Sequence, residues 1–222
     1  GSTGEKRAEQ YIAAELNAYG LQVQIEEFPI QERAVEKETL LVEFDGGWHS
    51  FPCSLLGNAQ GTNDKTIEAP LVFFSSQTDY QRKDLSFLTG KAVVHLGSHI
   101  KKSDHYKRLF EAKPAFVLFV DVRFPGTVAT SDGMFPAYTH KHGSMTIVSV
   151  AFMDAWRWKQ KNASGAKLCV HGEMRTSSSS NIIAELPGSD LDSEMLFVGA
   201  HHDTQANSVG ADDNGAGVAA ML

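Results

Sequence analysis

The sequence predicts an α/β fold in which a domain starts at the N-terminus, is interrupted by a β-rich module, and then resumes. Three observations carry this expectation. Residues 1–26 read as an amphipathic helix followed by an alternating strand, a unit too small to fold alone. Between about residue 40 and residue 172, short apolar runs are separated by turn-rich loops, the spacing of a compact β-rich module with helices at its margins. After a serine run at 177–180 the pattern changes to an apolar strand, a turn, a second apolar run and a small-residue helix. The implied boundaries are 1–41, 42–172 and 173–222, with the first and third stretches belonging to one domain. Two domains in series are the alternative, and the smallness of the opening helix and strand argues against them.

Each element has a local cause. Ser2 and Glu5 have capping-box spacing, so a helix starts there. Ala8, Tyr11, Ile12, Leu16 and Tyr19 fall on one face, and Gly20 is placed to stop the helix in a left-handed conformation. Leu21, Val23 and Ile25 then alternate with Gln22, Gln24 and Glu26, the period of a half-buried strand. Further strands are predicted at 40–44, 71–74, 92–96, 115–122, 146–152 and 167–171, with turns at Asp45-Gly46-Gly47 and over 57–61. Helices are predicted at 103–111, stopped by Lys113-Pro114, and at 153–162. The serine run reads as a linker, 181–186 as an apolar strand, and Pro187-Gly188-Ser189-Asp190 as a reversal.

Composition narrows the partners. The chain has 222 residues, and 42% hydrophobic content is ample for a core. A net charge of −7, without a long Lys/Arg run, gives no attraction to nucleic acid or an anionic membrane. The longest apolar runs, such as 115–120, fall far short of the roughly 20 residues of a bilayer span. No basic-then-apolar segment opens the sequence, so either none existed or the chain begins after its removal. Cys53 and Cys169 could form one disulfide, but a free buried thiol at each is favoured.

The chemistry concentrates at 195–222. Met195, Leu196, Phe197 and Val198 read as a buried strand, followed by His201, His202 and Asp203. Asp212 and Asp213 then stand in a glycine-rich turn entering a helix. Ligand residues gather at such strand ends in α/β sheets. A zinc-bound imidazole usually gives its other N–H to a carboxylate, a role that suits Asp203, and Asp213 offers a hard oxygen ligand. Helix-capping acids would explain Asp212 or Asp213 alone, but not their pairing with the His-x-Asp unit. His49, His95, His99, His105, His140, His142 and His171 lack a comparable frame and read as core or surface residues.

The run VGAHHDTQ at 198–205, followed by GADDNGAGVAAML at 210–222, resembles the di-zinc aminopeptidases of the bacterial leucyl aminopeptidase type, relatives of glutamate carboxypeptidase and the transferrin receptor. Residues 3–23 resemble that family's first helix and strand, and NIIAEL at 181–186 its lead-in to the ligand strand. Asp79-Tyr80, residues 87–94 and residues 146–150 resemble the protease-associated domain that many members carry as an insertion.

The resemblance implies a partial zinc-exopeptidase domain, three-layered and built on a mixed sheet, interrupted by that inserted domain at 42–172. It implies two zinc ions in the complete enzyme, with His201 ligating one, Asp213 bridging both, and Asp203 orienting His201. The family's general-base glutamate, a further acidic ligand and a late histidine have no counterparts here, and residues 218–222 read as a core-facing helix without a cap. The expectation is therefore an N-terminal portion of a peptidase, inactive by itself, whose parent hydrolyses N-terminal peptide bonds of a peptide substrate in an extracytoplasmic location. A non-catalytic, receptor-like relative and a protease-associated module acting in substrate gating are the competing readings. Residue preference, aminopeptidase against carboxypeptidase action, and oligomeric state stay open.

Overall fold

The computed structural model describes residues 2–97, 100, 102–122, 126, 136–189, 195–204 and 209–222. The chain divides into two compact units, Gly1–Glu32 with Arg175–Leu222, and Arg33–Met174.

In the first unit the capping box forms as written. Glu5 N donates to Ser2 Oγ at 3.1 Å, Ser2 N donates to Glu5 Oε2 at 3.3 Å, and helix α1 runs Thr3–Ala18. Gly20 stops it at φ +83°, the left-handed conformation that a Cβ disfavours. Ile12 and Leu16 are buried, whereas Tyr11 and Tyr19, expected on the same face, are exposed.

The strands predicted at 21–26 and 40–44 are the two ends of a single strand, β1 (Gln22–Phe44). Likewise 167–171 and most of 181–186 belong to one strand, β8 (Gly165–Glu185). The boundaries expected at 41/42 and 172/173 fall inside these two strands, and so do the divisions at 32/33 and 174/175. The linker expected at 177–180 is corrected by this finding, because the serine run is strand. Its hydroxyls have partners that the local sequence cannot reveal. Ser179 Oγ donates to Glu5 Oε1 and Ser180 Oγ to Glu9 Oε2, both on α1. A bond from Ser177 holds the Glu32 carboxyl below its usual range.

The second unit holds β2 (Gly47–Phe51), β3 (Ser54–Leu55), β4 (Ile67–Ser75), β5 (Ala92–Gly97), α2 (Ser103–Glu111), β6 (Phe116–Asp121), α3 (Pro136–His142), β7 (Ile147–Ser149) and α4 (Phe152–Gln160). Helix α2 has the predicted bounds, α3 has no counterpart in the expectation, and the strand predicted at 146–152 shortens to three residues. The strand order is β2-β1-β8-β4-β5-β6-β7-β3. Strands β4 to β7 are mutually parallel, while the β1–β2, β4–β8 and β3–β7 pairs are antiparallel, so the sheet is mixed. Asp45 and Gly46, both at positive φ, close the β1–β2 hairpin as a two-residue turn whose twist matches the strands.

Successive strand residues point to opposite faces, and both faces of this sheet are covered. Ala92, Val94, Phe116, Leu118 and Val120 pack in one cluster with Ala155 and Trp158 of α4. Val93, Val117, Phe119 and Ile147 pack in the other with Tyr106 and Leu109 of α2. This explains why β5 and β6 read as near-continuous apolar runs.

His95 of β5 lies fully inside, stacked between Phe74 and Phe119 with ring centroids 5.5 and 5.4 Å away. Its Nε2 is 3.1 Å from Tyr80 Oη. Cys53 and Cys169 are buried free thiols, and burial pushes the Cys53 thiol up to about 12.

Candidate metal centre

The strand expected at 195–198 does not form. Met195, Leu196, Phe197 and Val198 lie outside any strand and are exposed. An apolar run becomes a strand only where neighbours complete its ladder, and no strand among the described residues pairs with this one. The ligand-type residues that follow do come together. His201 Nδ1 lies 3.0 Å from Asp203 Oδ1, and His201 Nε2 lies 3.0 Å from Asp213 Oδ1. The ring therefore stands between two carboxylates, one on each nitrogen.

Asp213 reaches this position through an irregular turn. Gly210 is buried at φ +64°, a left-handed conformation natural to glycine, and Gly215 N donates back to Gly210 O at 2.7 Å. The Ala211–Ala216 segment has π-type hydrogen bonding, but Asp213 and Asn214 have non-helical backbone angles and are joined by a cis peptide bond. Helix α5 (Gly217–Met221) follows. A Cβ on Gly215 would meet Gly210 O at 2.9 Å, so this turn closes only on a bare α-carbon.

Electrostatics favour a cation here. Desolvation lowers the His201 pKa, but the hydrogen bonds that its ring donates to Asp203 and the charges of Asp213 and Asp203 outweigh it, so the net shift is upward. All three side chains are more than half exposed, so their ion pairs contribute little to stability by themselves. The donor set fits zinc: an imidazole nitrogen and a carboxylate oxygen converge, and a second carboxylate holds the other ring nitrogen. Among the described residues, no group of three or more His, Cys, Asp or Glu side chains is arranged to share one ion.

An open groove of about 610 Å³ adjoins the pair, lined by Glu5, Ile12, Phe28, His201, His202 and Met221 among others. His202 Nε2 is buried there, without a hydrogen-bond partner among the described residues. Two residues to which the sequence assigns no role also belong to the site. Thr204 Oγ1 donates to Asp213 O at 3.4 Å, and Gly210 opens the turn. Both lie inside the runs at 198–205 and 210–222, where neither stands out from its neighbours.

The other histidines among the described residues belong to the second unit. His95 is in the core, His49 stacks on Phe44, His105 stacks on Tyr80, and His142 Nε2 is 2.8 Å from Ser103 Oγ. His171 sits between Asp64 and Glu36, whose charges raise its pKa, with the Asp64 hydrogen bond the largest cause. His99 lies outside the described residues, as does Asp190 of the expected reversal.

Residues 181–222 match the model of peptidase family M28. No curated protein sequence matches significantly. Among solved structures, the fold is similar to that of a peptidase M28 precursor from Shewanella amazonensis SB2B, with TM-score 0.78 and 21% identity over 100% of this chain and 54% of that one. It is also similar to a zinc aminopeptidase from Bacillus subtilis, with TM-score 0.76 and 20% identity over 99% and 50%. An aminopeptidase from Aneurinibacillus sp. strain AM-1 gives TM-score 0.63 and 21% identity over 99% and 52%. The chain thus spans about half the length of the solved structures it matches. The resemblance read from the sequence holds for its peptidase part: residues 181–222 match peptidase family M28, and the mixed α/β fold is shared with the peptidase and aminopeptidase structures above.

Proposed function

We propose that this chain forms part of a zinc-dependent metallopeptidase, an aminopeptidase acting on N-terminal peptide bonds, with His201 and Asp213 as metal ligands and Asp203 orienting His201. One observation carries the reading: each ring nitrogen of His201 lies 3.0 Å from a different carboxylate. The match of 181–222 to family M28 supports a peptide substrate, and the fold shared with the zinc aminopeptidase of B. subtilis supports zinc.

Bound zinc supplies Lewis acidity and a water of lowered pKa. The residues of this chain hold and orient. Asp203 accepts from Nδ1–H, which fixes the tautomer and leaves the Nε2 lone pair free. Asp213 would add a hard oxygen donor at the same point and, in the two-zinc form of this reading, would serve both ions. Catalytic zinc sites take three protein ligands, and among the described residues His201 with Asp213 makes two, so in this reading the 222-residue chain by itself is inactive.

The test is a zinc titration by calorimetry with turnover of an aminoacyl p-nitroanilide, on the wild type and His201→Ala. Weak zinc binding that His201→Ala removes, without turnover, is the expected result. Zinc binding unchanged by His201→Ala would sink the site. Tight stoichiometric zinc with turnover that His201→Ala abolishes would keep the site and refute inactivity.

Residues 42–172 form, in the same reading, an inserted protease-associated domain that gates substrate or binds a partner protein. The compactness of Arg33–Met174, with a core on both sheet faces, supports this. Deleting 42–172 from a longer version should alter substrate selection and leave metal content unchanged. The pairing of His201 with Asp213 argues against a non-catalytic, receptor-like relative. The location proposed is extracytoplasmic, which cell fractionation tests. No helix among the described residues is long and apolar enough to cross a membrane.

A further inference from the structure

We propose that Thr204 is a positioning residue which, seated on Gly210, sets the separation of His201 and Asp213; the inference rests on the metal reading above. His201 and Asp213 lie on irregular backbone, without a strand ladder or a regular helix to hold one against the other. A 3.0 Å approach between two exposed side chains on such segments requires a local tie.

Thr204 makes that tie from both ends of the turn. Its hydroxyl donates to the backbone carbonyl of Asp213 at 3.4 Å, the ligand residue itself. Its side chain also covers the α-carbon of Gly210. A Cβ at Gly210 would stand 2.6 Å from Thr204 Oγ1 and 2.8 Å from Thr204 Cβ, so that space is already taken. The Gly210 carbonyl in turn receives Gly215 N–H at 2.7 Å and closes the loop that carries Asp213. One side chain therefore touches the residue that opens the turn and the residue that presents the carboxylate. It stands immediately after Asp203, so the tie also joins the segment bearing His201 and its orienting acid to the turn.

Thr204→Val tests the hydroxyl with little change in shape, because a methyl replaces the donor and faces the Asp213 carbonyl. Thr204→Ser keeps the hydroxyl. Two readouts are needed, on the purified 222-residue chain. The first is cobalt(II) added alone, its visible absorption giving the apparent Kd. Outer-shell partners of metal ligands are typically worth about 10- to 100-fold in affinity, so Thr204→Val should weaken Kd at least about tenfold and Thr204→Ser should recover most of it. The second, in the absence of metal, is amide exchange at Gly215, which Thr204→Val should accelerate and Thr204→Ser should not.

A Kd and a Gly215 exchange rate both unchanged in Thr204→Val would overturn the positioning role. A wild-type chain whose cobalt absorption is missing, or survives His201→Ala, would overturn the metal reading instead. The exchange arm would then decide the tie by itself.

Discussion

His201 Nε2 and Asp213 Oδ1 stand 3.0 Å apart, while the opposite ring nitrogen meets Asp203 at the same distance. An imidazole held on both sides cannot rotate without losing a partner, so its orientation is fixed before any ion arrives. Pre-orientation of this kind lowers the entropic cost of chelation.

Replacing Asp203 by Asn separates orientation from ligation. The carboxylate that fixes the tautomer is lost, while both proposed donors remain. Metal affinity should fall by about 10- to 100-fold, measured by cobalt(II) absorption. The pH dependence follows from the upward shift of the His201 pKa. A proton competes with the ion for Nε2, so affinity should weaken as pH falls, with onset above the ordinary 6.5 of histidine. In Asp203→Asn that onset should move to lower pH.

The core histidine makes a separate prediction about acid stability. Burial lowers the His95 pKa to about 4. Unfolded, His95 takes a proton near pH 6.5; folded, it stays neutral down to about pH 4, so the unfolded state binds more protons between those values. Its contribution is intact above pH 6.5 and declines as pH falls through that window, by about 3 kcal/mol for a shift of this size. The double variant His95→Phe, Tyr80→Phe removes the titrating group without orphaning the phenol. Urea midpoints measured from pH 7 to pH 4 should fall less steeply for it than for the wild type.

Leu118 occupies the middle of β6 with no exposed surface. Leu118→Ala leaves a cavity beneath neighbouring strands and should cost about 2–5 kcal/mol in chemical denaturation. A loss below about 1 kcal/mol would mean that this face collapses around the gap.

Ser180 is 4% exposed and donates to Glu9. Ser180→Ala leaves that carboxylate short of a donor, an effect of about 1–3 kcal/mol for a hydrogen bond to a charged group. Amide exchange within α1 should quicken, and unchanged exchange there would show that water replaces the hydroxyl.

The serine run shows where local reading stops. Ser2, Glu5 and Gly20 announce α1 because their partners are near in sequence, and Lys113-Pro114 marks where the helix at 103–111 must stop. Ser179 and Ser180 look like a linker because their partners, Glu5 and Glu9, are more than 170 positions away. Long strands suffer in the same way. The polar middle of β1 conceals that its two apolar ends are continuous. At the site, His201, Asp203 and Asp213 stood out because their residue types have few other uses together. Thr204 and Gly210 did not, since a hydroxyl after an acid and a glycine before a turn are ordinary until the backbone shows them in contact.

The exposed run at 195–198 has a consequence for handling the protein. Met195, Leu196, Phe197 and Val198 are 68%, 87%, 86% and 69% exposed, and none carries a charge. Four such side chains in a row are a template for intermolecular β-pairing. Self-association of this chain at high concentration should therefore fall when Phe197 is replaced by Lys, a change that light scattering would read, even though a net charge of −7 already works to keep copies apart.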